Sequence, residues 1–141
     1  MKEEQIIAGF IRTAIRNPSK QITVKEISSE SKINRTYFYQ FFDSEEDIAI
    51  ETVFSLISAF INRIFPSFFC LNCVNRSAVE KGVQDLIVHK EILEALLLEQ
   101  PNHIFVLINL QNKIKTHIET KLMHITLIDQ HKKDFFSFKY N

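Results

Sequence analysis

Between Thr23 and Ile48 the chain reads TVKEISSESKINRTYFYQFFDSEEDI, in which helix-start signals recur at Thr23, Asn34 and Ser44. Starts this closely spaced dictate two short helices joined by a tight turn, with a third helix opening at once behind them. Thr23 and Glu26 fit a capping box, a hydroxyl at the N-cap and a carboxylate three residues on, and Ile27 follows as an apolar anchor. After Asn34 come Arg35, Thr36, Tyr37, Tyr39 and Gln40, interleaved with Phe38, Phe41 and Phe42. A short helix with polar and aromatic donors on one side and phenylalanines on the other suits the DNA major groove. The apolar side holds the helix on its support, and the polar side is left for phosphates and base edges.

On these residues the segment resembles the N-terminal DNA-binding domain of the tetracycline-repressor (TetR) family of transcription regulators. Asn34 stands at the cap of the family's recognition helix, Arg35 at its basic position, Phe38-Tyr39 at its aromatic pair and Phe42 at its later Phe. Ser44-Glu45-Glu46-Asp47-Ile48 matches the opening of the helix that follows, and the resemblance covers roughly residues 3 to 50. Three positions depart from the family pattern. Lys32 occupies the turn where Gly is usual, and a non-Gly residue enters a left-handed turn at a cost. Tyr37 replaces a Thr or Ser at an implied phosphate contact. Glu45 replaces a Lys, removing one phosphate contact and adding a repulsive charge.

The composition is that of an ordinary globular chain: 141 residues, 45% hydrophobic, 24% charged, formal net charge zero. Residues 2–42 carry seven Lys/Arg against four Glu, and residues 43–141 carry ten against thirteen acids. A mildly basic head on a mildly acidic body fits DNA binding by the head alone. No apolar run approaches the roughly 18 residues that span a bilayer. The start MKEEQ is charged, unlike a signal peptide, so a cytoplasmic location is expected. With two Gly and three Pro, loops are few and helices dominate. Gly9 and Gly82 are isolated, so no Gly-rich phosphate loop exists.

Along the chain, Ile7, Phe10, Ile11, Ala14 and Ile15 predict a helix from about Glu3 to Arg16, ended by Asn17-Pro18-Ser19. Ser44 caps a long helix lined by Ile50, Val53, Phe54, Ile57, Phe60, Ile61 and Ile64 and stopped by Pro66. Residues 66–76 read as a loop with buried Phe68 and Phe69, or as a short broken helix. From Ser77 to about Glu99 a helix is expected, broken near His89. Its Leu93, Leu96, Leu97 and Leu98, apolar on more than one face, argue for burial. From Asn102, a cap, to about Ile128 the period of Leu107, Leu110, Ile114, Ile118, Leu122 and Ile125 predicts one helix of roughly 40 Å. Residues 129–141 lose that period, and Phe135, Phe136, Phe138 and Tyr140 make a sticky tail.

The other candidate sites read as bland. Cys70 and Cys73 form a C-x-x-C, but a zinc site needs four ligands and there is no second pair. No βαβ pattern supports a redox motif, so two buried thiols are the expectation. His117, His124 and His131 repeat every seven residues, about two turns or roughly 10 Å apart, too far for one metal. They mark a partly exposed border beside an apolar seam. No catalytic constellation stands out, and an enzyme is not expected.

The expected fold is therefore all-α, with a DNA-binding head over residues 1–46 and a helical ligand-binding and dimerisation body over residues 47–141. The expected function is sequence-specific binding of operator DNA to regulate transcription, with no cofactor and no metal. Thr23 would meet a phosphate, Arg35 would contact a base edge with Thr36 and Gln40 behind it, and Tyr37 and Tyr39 would donate to phosphates. Phe38 and Phe42 would hold the helix. The resemblance also implies repression, a homodimer and a small-molecule inducer bound in the body. The body is short for the family, leaving the helix after Pro101 as the pairing seam. The alternative is a shortened regulator-like protein acting through protein contacts, for example by pairing with a full-length relative.

Overall fold

The first helix, α1, spans Lys2–Arg16 in the computed structural model, which describes residues 2–68 and 76–140. It is followed by α2 (Val24–Ser31), α3 (Arg35–Phe38), α4 (Glu45–Ile64) and a single 3₁₀ turn (Phe65–Phe68). After residue 75 come α5 (Arg76–Val88), α6 (Lys90–Glu94), a π turn (Ala95–Glu99) and α7 (His103–Tyr140). No strand occurs among the described residues, and the fold is all-α. No helix among them is long and apolar enough to cross a membrane.

Helices α2, α3 and α4 each begin where a side chain supplies a cap. The Ser44 hydroxyl accepts the Asp47 N–H at 3.1 Å, and Glu45, Glu46 and Asp47 place their charges at the positive end of α4. That helix ends at Ile64, and Pro66, which has no N–H to continue a helix, lies in the turn behind it. The expected break at His89 is present between α5 and α6. The expected burial of Phe69 and the Cys70–Cys73 pair fall outside the described residues, as does the Phe68 side chain.

The apolar stripe of α1 is rotated from its expected centre. Ile6, Gly9, Phe10, Thr13 and Ala14 are buried, while Ile7, Ile11 and Ile15 are half-buried beside them. The cause is that α1 is covered from two directions, by α2 and by α6 with the π turn. The run of leucines also departs from expectation. Leu96 is buried and Leu93 and Leu97 partly so, but Leu98 is 67% exposed. The π turn, closed by Gln100 N–H to the Ala95 carbonyl at 2.9 Å, widens the helix there and turns Leu98 outwards. Gln100 itself is buried, and its Nε2 donates to the Pro18 carbonyl at 2.8 Å, tying this turn to the loop after α1.

Helix α7 runs past its expected end. After Pro101 there is no Pro or Gly to stop it, and the backbone stays helical to Tyr140. The expected docking of the Phe-rich tail rests on side chains outside the described residues. Asn102 directly precedes α7, its carbonyl accepting the Val106 N–H at 3.2 Å, and its side-chain amide donates to Glu46 Oε1 at 3.5 Å. The stripe from Leu107 to Ile125 faces inwards onto α4 at its start, where Leu110 and the unanticipated Val106 are buried, and Leu122 ends up exposed. Lys113 pairs with Glu51 of α4 and lies over the Phe54 ring. His117 Nε2 meets Asn62 Oδ1 at 3.1 Å.

One contiguous core joins these pieces. Ile6, Phe10 and Ala14 of α1, Ile27 of α2, Phe38 and Phe42, and Ile48 and Val53 of α4 belong to the same cluster as Ile92, Leu96, Val106 and Leu110. Helix α3 is therefore held by a core that reaches into the second half of the chain.

Candidate nucleic-acid interface

The α2–α3 segment is built by three local motifs. The capping box is complete: Glu26 N–H donates to the Thr23 hydroxyl at 3.2 Å, and Thr23 N–H donates to Glu26 Oε2 at 2.9 Å. At the other end α2 closes in a Schellman motif, with Ile33 N–H on the Ser28 carbonyl at 3.0 Å and Lys32 N–H on the Ser29 carbonyl at 3.2 Å. The motif requires a left-handed residue, and Lys32 fills it with φ 57 and ψ 43, the one positive φ at a non-Gly residue among those described. A residue with a Cβ holds that conformation at a cost of about 1 kcal/mol relative to Gly. Ile33 then packs against the core, which sets the angle of the chain into α3. Asn34 caps α3, accepting the Tyr37 N–H at 2.8 Å.

Helix α3 is one turn long and is extended by tighter i→i+3 bonds, Gln40 N–H to Tyr37 O and Phe41 N–H to Phe38 O. Phe38 is fully buried and Phe42 nearly so, their centroids 5.7 Å apart. Arg35, Thr36, Tyr39 and Gln40 are exposed together on the other side. Two of the aromatic residues stand differently from expectation. Phe41 is 39% exposed rather than on the supporting side, and its ring packs on Tyr37 at 5.4 Å. Tyr37 is half-buried, with the Lys2 ammonium 4.8 Å from its ring centroid.

Thr23 is exposed at the start of α2, but its hydroxyl is engaged in the capping box, where it also donates to Glu26 Oε2 at 3.1 Å. Val24 N–H donates to Glu45 Oε1 at 3.4 Å. Two carboxylates thus occupy donors that a phosphate would use at this helix start. The role of Glu45 was not legible from sequence, because the residue it satisfies lies 21 positions away.

The cations of the head divide into two sets. Arg12 and Arg16 both bind Glu30, and Lys20 binds Glu26 at 2.7 Å. Lys2, Lys25, Lys32 and Arg35 form no ion pair among the described residues. The Lys20 ammonium, with the Thr23 N–H, holds the Glu26 carboxyl below its ordinary 4.5. The Arg12 and Arg16 guanidinium groups do the same for Glu30. A carboxyl lowered on folding adds stability above its unfolded value and loses it as pH falls through its folded value. Melting temperature is therefore expected to drop as pH is taken from about 5 towards about 3, and Glu30→Gln is expected to flatten that drop. An unchanged profile in Glu30→Gln would show that this cluster does not stabilise the α1–α2 pair.

The structure also brings together a cleft not anticipated from the sequence, bounded by Lys2, Gln5, Lys32, Ile33, Asn34 and Tyr37 at the start of α3. Its one sequence signal is the Lys in place of Gly in the turn. Elsewhere, no group of three or more His, Cys, Asp or Glu able to hold a metal occurs among the described residues. His124 and His131 are exposed on α7. Comparison with known protein families, curated proteins and solved structures finds no match to this chain.

Proposed function

We propose that the chain is a sequence-specific DNA-binding transcription regulator of the TetR type, acting as a repressor through α3. The observation that carries this is the division of α3: Phe38 and Phe42 are sealed in the core while Arg35, Thr36, Tyr39 and Gln40 face solvent side by side. A guanidinium presented this way can bridge guanine N7 and O6. Tyr39 supplies a phosphate donor beside it, and Tyr37, half-buried, keeps its hydroxyl for the same use. Homodimer formation is supported by Ile104, Phe105 and Ile108, which are each more than half exposed on α7. An inducer is supported by a cavity of about 320 Å³ between α4 and α5, lined in part by Leu56, Phe60, Asp85 and His89.

The test is fluorescence-anisotropy binding to duplex DNA from just upstream of the protein's own coding region, against scrambled competitor, at two salt concentrations. Specific, salt-sensitive binding is expected, and Arg35→Ala is expected to weaken it about tenfold and relax its sequence preference. Equal affinity for scrambled DNA, unchanged in Arg35→Ala, would sink the reading at that site.

One observation favours a second reading, that of a regulator-like protein acting through protein contacts. The carboxylates of Glu26 and Glu45 sit on the backbone donors at the start of α2 and repel phosphate there. Under that reading Arg35→Ala and Tyr39→Ala leave function untouched, and the chain co-purifies with a full-length relative.

A further inference from the structure

We propose that the cleft between Lys2, Lys32 and Tyr37 seats a backbone phosphate of the bound duplex, with the two ammonium groups as its ligands. This rests on the DNA-binding reading above and extends its footprint from α3 to the first turn of α1.

Five observations converge on the cleft. Its lining contains two ammonium groups and no carboxylate. Arg12 and Arg16 are committed to Glu30 and Lys20 to Glu26, so two of the three lysines of the head without an ion pair among the described residues, Lys2 and Lys32 but not Lys25, line this cleft. Lys32 stands in a left-handed conformation that Gly would adopt without strain, and a strained residue kept in place points to a use for its side chain. The Lys2 ammonium is already positioned over the Tyr37 ring. With its Oδ1 accepting the Tyr37 N–H, Asn34 keeps its amide nitrogen as a further donor at the rim.

The place of the cleft selects the source of the phosphate. Asn34 and Tyr37 line it and belong to the cap and body of α3, so a strand bordering the groove entered by Arg35 and Thr36 passes this point. A free anion in an open cleft meets two hydrated ammonium groups and gains little. A duplex held by α3 brings its phosphate to both and releases condensed counterions. The arrangement also supplies backbone attraction away from the start of α2, where Glu26 and Glu45 occupy the backbone donors.

The test uses the full chain and a fluorescein-labelled random-sequence duplex, because phosphate contacts are independent of sequence. Binding is measured at about 50 and about 200 mM salt, beside the melting temperature of each variant. Lys32→Gly is expected to raise the melting temperature while weakening binding about fivefold and lowering the salt slope by about one. Lys2→Gln is expected to weaken binding similarly with no change in melting. Stability and affinity moving in opposite directions is a result that damaged folding cannot produce. If Lys32→Gly and Lys2→Gln both bind like the wild type while Arg35→Ala loses operator preference, the phosphate seat is overturned and the DNA reading stands. If the wild type binds no duplex at all, both fall. If inorganic phosphate raises the wild-type melting temperature beyond what chloride of equal ionic strength does, while Lys32→Gly and Lys2→Gln leave duplex binding unchanged, the cleft takes free phosphate and the assignment to DNA fails.

Discussion

Replacing Phe38 by Ala is expected to cost about 4 kcal/mol and, under the proposed DNA-binding function, to abolish DNA binding at the same time. Phe38 is fully buried, stacks its ring near Phe42 at 5.7 Å and meets the Tyr39 ring edge-on at 5.3 Å. Truncating such a ring removes its transfer free energy and leaves a cavity that a one-turn helix cannot collapse to fill. Helix α3 has too few backbone hydrogen bonds to persist alone. Its outward side chains, Arg35, Thr36, Tyr39 and Gln40, are therefore positioned by Phe38 and lose their alignment with it. Against a typical domain stability of about 5–15 kcal/mol, the variant is expected to be partly unfolded at growth temperature. Phe41→Ala is the control. Its ring is 39% exposed and packs on Tyr37, so a loss of about 1 kcal/mol or less is expected. Urea denaturation of both variants decides the matter, and equal losses would mean that Phe38 is not the anchor.

Gly9→Val is expected to cost about 3 kcal/mol, although valine in place of glycine ordinarily favours a helix. A Cβ built on Gly9 falls 2.0 Å from the Ser31 hydroxyl oxygen and 3.1 Å from both the Ser31 Cβ and its backbone nitrogen. The hydroxyl can rotate away, but the backbone of α2 cannot, so the added methyl groups force α1 and α2 apart. That separation would weaken the Gln5 bond to the Ser31 carbonyl, 2.6 Å, and the burial of Ile6 and Phe10 beside it. The loss should couple to position 31. In a double-mutant cycle, Ser31→Gly is expected to recover part of the Gly9→Val loss, because it opens space at the contact. Strict additivity of the two variants would show that the close approach is not what the glycine serves. Under the proposed function, loss of DNA binding in parallel is expected, since α2 carries the turn that aims α3.

The starts of α2, α3 and α4 were legible because capping is a local contest. Thr23 with Glu26, Asn34, and Ser44 each satisfy backbone donors within three residues, so the sequence holds the whole interaction. The stops at Pro18 and Pro66, and the break at His89, are readable for similar reasons. Lys32 in the left-handed turn was suggested by the family resemblance, which places a Gly at that position. The division of α3 into buried Phe38 and Phe42 against exposed Arg35, Thr36, Tyr39 and Gln40 followed largely from spacing. The exposure of Phe41 did not, because α3 tightens after one turn and shifts the angular place of residues behind it.

What the sequence by itself determined is the all-helical class, the position of most helix ends, and which residues of α3 face solvent. Each is set by propensity, capping and period within one or two turns of chain. The tertiary structure decided how those pieces meet. It placed Gly9 against Ser31, set Glu45 on the start of α2, turned Leu98 outwards through a π turn and joined Gln100 to Pro18. It also brought Lys2 to Lys32 across one cleft. Those contacts connect residues 21 to 82 positions apart, or reverse the register of a leucine run. No local period encodes them, because each depends on which helix faces cover one another when the shared core closes.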